Sequence, residues 1–144
     1  MQISPIGVAL LKEYEGFSAK IYLCPAGKAT IGYGHVILAN EKFPPNGISP
    51  SEAEKLLMQD AKIATDAINS LVVCELAQNQ FDALASLTYN IGAKAFAKSK
   101  LLRLLNENNY TDAAAEFPKW IFSGGVKLAG LVRRRRAEQQ LFMA

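Results

Sequence analysis

Apolar side chains at Val8, Leu11 and Tyr14 recur at three-residue spacing, which places them on one face of a helix. Ser4 followed by Pro5 supplies an N-cap and a proline whose missing N–H costs nothing in the first turn. Gly16 ends the run as a C′ residue, which makes Glu15 the last helical residue. From Lys20 the period changes: residues 20–23 and 30–34 read as short strands around the turn residues Pro25, Ala26 and Gly27, with a further strand near Val36 and Ile37. A five-residue connection places Cys24 opposite Thr30 on one face, whereas a four-residue loop pairs Cys24 with Ala29 and turns Thr30 away. The first register is the expectation. Gly32 and Gly34 leave part of the second strand without side chains, which suits close approach of a ligand or another backbone, or a strongly twisted edge.

Residues 40–47, with Pro44 and Pro45, read as a loop, and Ser49-Pro50-Ser51-Glu52 matches a capping box with proline in the first turn. A long helix is predicted from there to about Leu71, with Leu56, Leu57, Ala61, Ala64, Ala67, Ile68 and Leu71 at helical spacing. A second helix is predicted over 78–90, with Phe81, Leu84, Ala85 and Thr88 inward and Gly92 as its stop. Ser99 is expected to cap a short helix ending near Asn106, and Thr111 another reaching about Lys119. A turn follows over 120–125, and a last helix over 130–143.

With 144 residues, half of them hydrophobic, the chain suits one domain with a sizeable core. A formal net charge of +3 and a pI near 8.9 bias it mildly toward anionic partners such as an acidic polymer, without the concentration of charge that marks a nucleic-acid binder. Two cysteines, Cys24 and Cys74, are too few for a disulfide scaffold and fit a reduced, cytoplasm-made protein. No spacing suggests a metal site, no cofactor is implied, and residues 6–11 are too short an apolar run for an export signal or a membrane anchor. In Arg133-Arg134-Arg135-Arg136, successive residues point about 100° apart on a helix, so the four cannot share one partner.

The chemistry concentrates early. Glu15 ends a helix, where aligned carbonyls place partial negative charge beside its carboxyl group, the setting a proton donor needs. Eight residues separate it from Cys24 and five more separate Cys24 from Thr30, followed at once by Ile31-Gly32-Tyr33-Gly34-His35. Together with Glu15-Gly16, Tyr22 and Gly27, this segment resembles the phage-type lysozyme family, the endolysins, in the branch that carries cysteine where others carry aspartate. The resemblance continues through Asn46-Gly47, residues 52–56, Gln59-Asp60, residues 80–84, Asn90, Gly92, Gly130-Leu131, the arginine run and Glu138.

That resemblance implies an α+β, mainly helical lysozyme-like fold forming one catalytic domain over 1–144. A small β-hairpin lobe, about 16–48, is joined by a linking helix, about 50–71, to a helical bundle lobe, about 72–144 plus the N-terminal helix. The implied activity is a muramidase hydrolysing the β-1,4 bond between N-acetylmuramic acid and N-acetylglucosamine in peptidoglycan. Glu15 is then the proton donor, and Cys24 and Thr30 hold the attacking water. A thiol ionises near pH ~8.5, so Cys24 is a weak base unless its surroundings lower that value. It would then position water, or attack directly with retention. The family pattern also places Val36, Tyr89 and Ser99 against substrate, pairs His35 with Asp60 as a structural ion pair, and leaves open which arginine orients Glu15. It implies a monomer that accumulates in the host cytoplasm and reaches the wall through a separate pore-former. Two alternatives remain: a lytic transglycosylase, in which the substrate's own hydroxyl attacks, and membrane permeabilisation by the basic C-terminal helix, helped by weak attraction to an anionic membrane surface.

Overall fold

A computed structural model describes residues 1–144. In chain order the elements are α1 (Pro5–Glu15), β1 (Ser18–Leu23), β2 (Ala29–Gly32), β3 (His35–Val36), α2 (Pro50–Leu71), α3 (Gln78–Ile91), α4 (Ala93–Ala97), α5 (Lys100–Asn106), α6 (Tyr110–Ala114), a 3-10 turn (Phe117–Lys119), β4 (Phe122–Ser123), β5 (Val126–Lys127) and α7 (Ala129–Met143). The fold class is α+β. The chain divides into two compact units, Ala9–Lys62 and Met1–Val8 with Ile63–Ala144, so α1 and α2 each contribute to both.

The first unit is built on the antiparallel sheet β1-β2-β3. Its small core is Ile31, Ile48 and Ala53, flanked by Tyr33, Ile37, Phe43 and Leu56. The hairpin register differs from the expected one. Leu23 faces Ala29 and Tyr22 faces Thr30, and Cys24 N–H donates to Lys28 O at 3.0 Å while Gly27 N–H donates to Cys24 O at 2.8 Å. The connection is therefore the three residues Pro25, Ala26 and Gly27, with Gly27 at φ +78°, and Cys24 lies opposite Lys28 rather than Thr30. A three-residue turn closed by a left-handed glycine matches the strand twist better than a longer loop. Because the slip is an even number of residues, Cys24 and Thr30 still share a face. A bulge in β1 between Ser18 and Tyr22 accompanies the hydrogen bond from Ile48 N–H to Ala19 O, 2.9 Å. Gly47 is required there, since a β-carbon on it would come within 2.6 Å of Ala19 O. Ser49 caps α2, its Oγ accepting from Glu52 N–H at 3.1 Å.

The second unit is helical and centres on α3. Residues 81–88 are all buried, a wider enclosure than the four inward positions expected, because α3 is covered on several sides. Its core joins Phe81, Leu84, Leu87, Phe96, Leu105 and Phe117, with Phe142 of α7. Buried Asp82 anchors the start of α1: it accepts from Ser4 N–H at 2.9 Å and from the Ser4 hydroxyl, and Gly7 leaves it room. Ser99 caps α5 as expected, accepting from Leu102 N–H at 3.1 Å. Three local features differ from expectation. Ala93–Ala97 forms α4 directly after Gly92. The cap of α6 is Asn109, whose Oδ1 accepts from Asp112 N–H at 3.2 Å; Thr111 lies one residue inside that helix. The expected turn over 120–125 is a two-stranded hairpin, β4-β5, reversed at Gly124 and Gly125, both with positive φ.

Candidate active site

Glu15 is the final residue of α1, and Gly16 at φ +69° ends the helix with its N–H on Lys12 O at 3.1 Å. The end of α1 is fixed within its unit by Lys12, whose Nζ lies 2.6 Å from Glu54 Oε2 of α2 and 5.6 Å over the Tyr33 ring. Tyr33 also packs on Phe17 at 5.4 Å between centroids. Hydrogen bonding to Glu54 raises the Lys12 pKa despite a little desolvation, so this cation persists through neutral pH. The Glu15 carboxylate is half-buried and abuts Gly34, whose missing side chain makes room for it: a β-carbon there would stand 3.2 Å from Glu15 Oε2. Gly34 and Gly32, at φ +76° and +68°, reverse the chain around Tyr33. Gly32 serves packing instead, since a β-carbon on it would come within 3.0 Å of Ala53 Cβ.

The sheet register aligns the remaining chemistry. Thr30 faces Tyr22 on one side and Val36 on the other, so Tyr22, Thr30 and Val36 form a row across three strands. Cys24 is two residues beyond Tyr22 on the same face. Thr30 is buried at 2% exposure, whereas Tyr22 and Val36 are exposed and Cys24 is half-buried. The row thus presents a wall with a hydroxyl set into it. Thr30 Oγ1 donates to Lys28 O at 2.9 Å, which holds the tip of the hairpin. The Lys28 backbone N–H is the main influence that brings the Cys24 thiol below its ordinary pKa, outweighing partial desolvation, with smaller help from the Ala26 backbone and the Thr30 hydroxyl. Several donors around one sulfur favour the thiolate.

On the opposite face of β3, His35 is buried and its two ring nitrogens are both engaged. Nδ1 lies 2.8 Å from Asp60 Oδ2 and Nε2 2.8 Å from Glu41 Oε1. A neutral imidazole can donate from only one nitrogen, so two carboxylate partners require the imidazolium. Burial opposes that charge, but the hydrogen bonds to Asp60 and Glu41 prevail and raise the His35 pKa. Glu41 is held below the usual carboxylate range first by Leu38 N–H, at 2.8 Å, and then by His35. His35 therefore ties β3 to α2 and to the loop after β3, away from the row that carries Thr30.

Tyr89 and Ser99 belong to the helical unit. Tyr89 is half-buried in α3. The Ser99 hydroxyl, besides capping α5, donates to Phe96 O at 2.7 Å. In the arginine run Arg134 and Arg135 are buried while Arg133 and Arg136 are exposed, as the 100° step between neighbours demands. Arg135 bonds Glu138 and Asn90, and its Nε donates to Trp120 O at 2.8 Å. Both cysteines are free thiols. No helix is long and apolar enough to cross a membrane, and no group of His, Cys, Asp or Glu side chains is arranged to hold a metal ion.

Sequence reasoning missed Glu41, which reaches His35 through the 38–41 turn. It named Tyr22 within the motif and Gly34 as a place of close approach, but not their partners: Tyr22 is adjacent to Thr30 only through the register, and Gly34 accommodates Glu15 through a positive φ.

A helix-terminal carboxylate, a glycine-rich three-stranded sheet and an enclosed helical core define a lysozyme-like fold. The sequence profile described as Phage lysozyme matches residues 12–138, and the chain belongs to the phage lysozyme family, whose members are glycoside hydrolases. The endolysin of Salmonella phage P22 is 42% identical over 151 residues, covering 100% of this chain and 99% of that relative. The endolysin of Bacillus phage PZA is 45% identical over 144 residues, or 99% of this chain, which spans only 55% of that relative's length. Among solved structures, the muramidase domain of SpmX from Asticaccaulis excentricus superposes with a TM-score of 0.89 at 38% identity, over 99% of this chain and 98% of that one.

Proposed function

We propose that this protein is an endolysin that hydrolyses peptidoglycan as a muramidase, cutting the β-1,4 bond between N-acetylmuramic acid and N-acetylglucosamine, as a single catalytic domain over 1–144. The observation that carries this reading is the anchored thiol and hydroxyl, Cys24 and Thr30, on one sheet face of the segment that follows the helix-terminal Glu15. Family membership and endolysins 42% identical over nearly the full length of both chains support it.

Glu15 gives its proton to the glycosidic oxygen as the C1–O bond breaks. Water held by Cys24 and Thr30 adds to C1, and its proton passes to the Cys24 thiolate and then to solvent. The lowered thiol pKa raises the thiolate share of the sulfur above that of an ordinary thiol. This route inverts the anomeric centre; direct attack by sulfur would retain it. Val36, Tyr89 and Ser99 contact the glycan. The protein works as a monomer, accumulates in the host cytoplasm and meets the wall after a separate pore-former opens the membrane, and its positive charge draws it weakly to anionic surfaces.

The test is mass spectrometry of muropeptides released from purified wall. Reducing ends are expected; 1,6-anhydro-muramic acid would identify a lytic transglycosylase. Glu15→Gln should lower kcat by about 10²–10⁴-fold with an unchanged melting curve. Undiminished clearing of cells by that variant would overturn the muramidase reading in favour of membrane permeabilisation through α7.

A further inference from the structure

Between the 3-10 turn and α7, the β4-β5 hairpin stands out from the helical unit as a finger. Every residue from 122 to 130 is exposed, and three of them are large and apolar: Phe122 and Val126 at 60% exposure and Leu128 at 43%. Phe122 faces Lys127 across the ladder and Ser123 faces Val126, so apolar groups stand on both faces. Antiparallel sheets in water pack one face on a core, and a bare two-stranded hairpin is marginal. Here both faces remain open. At the base of the finger Trp120, Leu128 and Leu131 line a concavity of about 320 Å³ that Phe122 borders, which continues the apolar surface onto α7. Between Glu116 and Glu138 the chain has no Asp or Glu but carries Lys119, Lys127 and Arg133-Arg134-Arg135-Arg136. Glu116 is held by Lys119, and Glu138 is buried against Arg134 and Arg135. Lys127 and Arg136 are exposed. An apolar finger therefore stands in a positively charged surround.

We infer that the β4-β5 finger docks on anionic lipid bilayers, with Phe122, Val126 and Leu128 entering the boundary between headgroups and acyl chains while Lys127 and Arg136 meet lipid phosphates. The inference goes beyond the muramidase reading, since bilayer binding needs neither Glu15 nor a glycan. It also differs from attraction by net charge, which requires no apolar residue. The boundary region of a bilayer covers both faces of an inserted hairpin at once, whereas a flat protein partner covers one. Lys127, beside Phe122, can lay its aliphatic stem along the buried ring and keep its ammonium at the level of the phosphates. A second copy of this chain fits poorly, because a two-fold contact through the finger would bring Lys127 and Arg136 toward their own copies. No helix can cross the bilayer, so the attachment is interfacial and reversible.

The experiment is co-sedimentation of the full chain with vesicles of equal parts phosphatidylglycerol and phosphatidylethanolamine, against vesicles of phosphatidylcholine alone. Binding is expected to the first and not to the second. Phe122→Ser/Val126→Ser should lower the partition coefficient by at least about tenfold, and Lys127→Gln/Arg136→Gln by about five- to thirtyfold. A control pair, Ile63→Ser/Val73→Ser, removes two apolar side chains exposed elsewhere, at 71% and 79%, and should leave partitioning unaltered. Trp120, the one tryptophan, borders the finger and reports the contact: its emission should move to shorter wavelength on anionic vesicles, and the first serine pair should abolish that shift. The inference is overturned if that serine pair binds like the unsubstituted protein, which would leave only charge steering. It is equally overturned if the control pair loses as much binding, if phosphatidylcholine is bound as well as phosphatidylglycerol, or if no vesicle is bound. A dimer in sedimentation velocity that the same serine pair dissociates would assign the finger to a contact between copies instead. No wall substrate enters these measurements, so their failure and that of the muramidase reading are separate results.

Discussion

Glu15 and Gly34 are in direct apposition: the carboxylate Oε2 occupies space that any side chain at Gly34 would enter, 3.2 Å from the β-carbon position. The helix end and the second reversal of the sheet are thereby matched to each other.

Gly34→Ala should accordingly impair both stability and rate. The φ of +76° costs an alanine about 1–2 kcal/mol, read as a lower denaturation midpoint. Displacement of the carboxylate should lower kcat by about ten- to a hundredfold. Gly16→Ala, also at positive φ but with nothing within 4 Å of its β-carbon position, should show the stability loss with the smaller effect on rate.

The His35 clamp predicts a stability maximum on the acid side. Because the folded pKa of His35 is raised above its ordinary 6.5, its contribution is complete below that value and fades as pH rises through the folded pKa. Glu41 is lowered from 4.5, so its contribution is complete above 4.5 and lost as pH falls through its folded value. Thermal melts should be highest between about pH 4.5 and 6.5. In His35→Asn that maximum should flatten, and an unchanged pH profile would refute the clamp.

Cys24 should react as an activated thiol. In a Cys74→Ser background, iodoacetamide labelling should show a midpoint below that of an ordinary thiol, and labelling should abolish activity in proportion to its extent. Thr30→Val removes a hydroxyl that helps lower the Cys24 pKa and should shift the midpoint upward. Cys24→Ala should lower kcat by at least about tenfold with little change in melting temperature.

The buried pair Arg135 and Glu138, at 1% and 0% exposure, carries a structural prediction. Glu138→Ala leaves two buried guanidiniums, Arg134 and Arg135, without their shared carboxylate and should destabilise the protein by about 3–5 kcal/mol, while Arg135→Met/Glu138→Leu, which still strands Arg134, should recover only part of that loss. Denaturant titration separates the two.

Much of the architecture was legible because it is written locally. Ser4-Pro5, Ser49-Pro50 and Ser99 announced three helix starts, and the helical spacing of Leu57, Ala61, Ala64 and Ile68 announced α2, all buried as expected. The lapses came where several local solutions compete. Asn109 and Thr111 are both capping residues, and Asn109 prevails because Asn108 enters the left-handed region at φ 60° just before it. Ser123-Gly124-Gly125-Val126 is turn-like with too few flanking residues to declare strands, yet it pairs. In the hairpin after β1 a loop of three residues prevailed over five, and only the parity of the slip kept Cys24 beside Thr30.

By itself the sequence determined the family and the order of the main helices and of the first three strands. It also fixed the identity of the reactive groups, since capping, periodicity and motif spacing are properties of neighbours along the chain. Only the tertiary structure decided that Tyr22, Thr30 and Val36 stand in one row, that Glu15 rests on Gly34, and that Glu41 joins Asp60 around His35. Those relationships depend on register and on backbone conformations selected by packing between elements, where a one-residue slip, invisible in composition or period, would turn the same side chains to opposite faces.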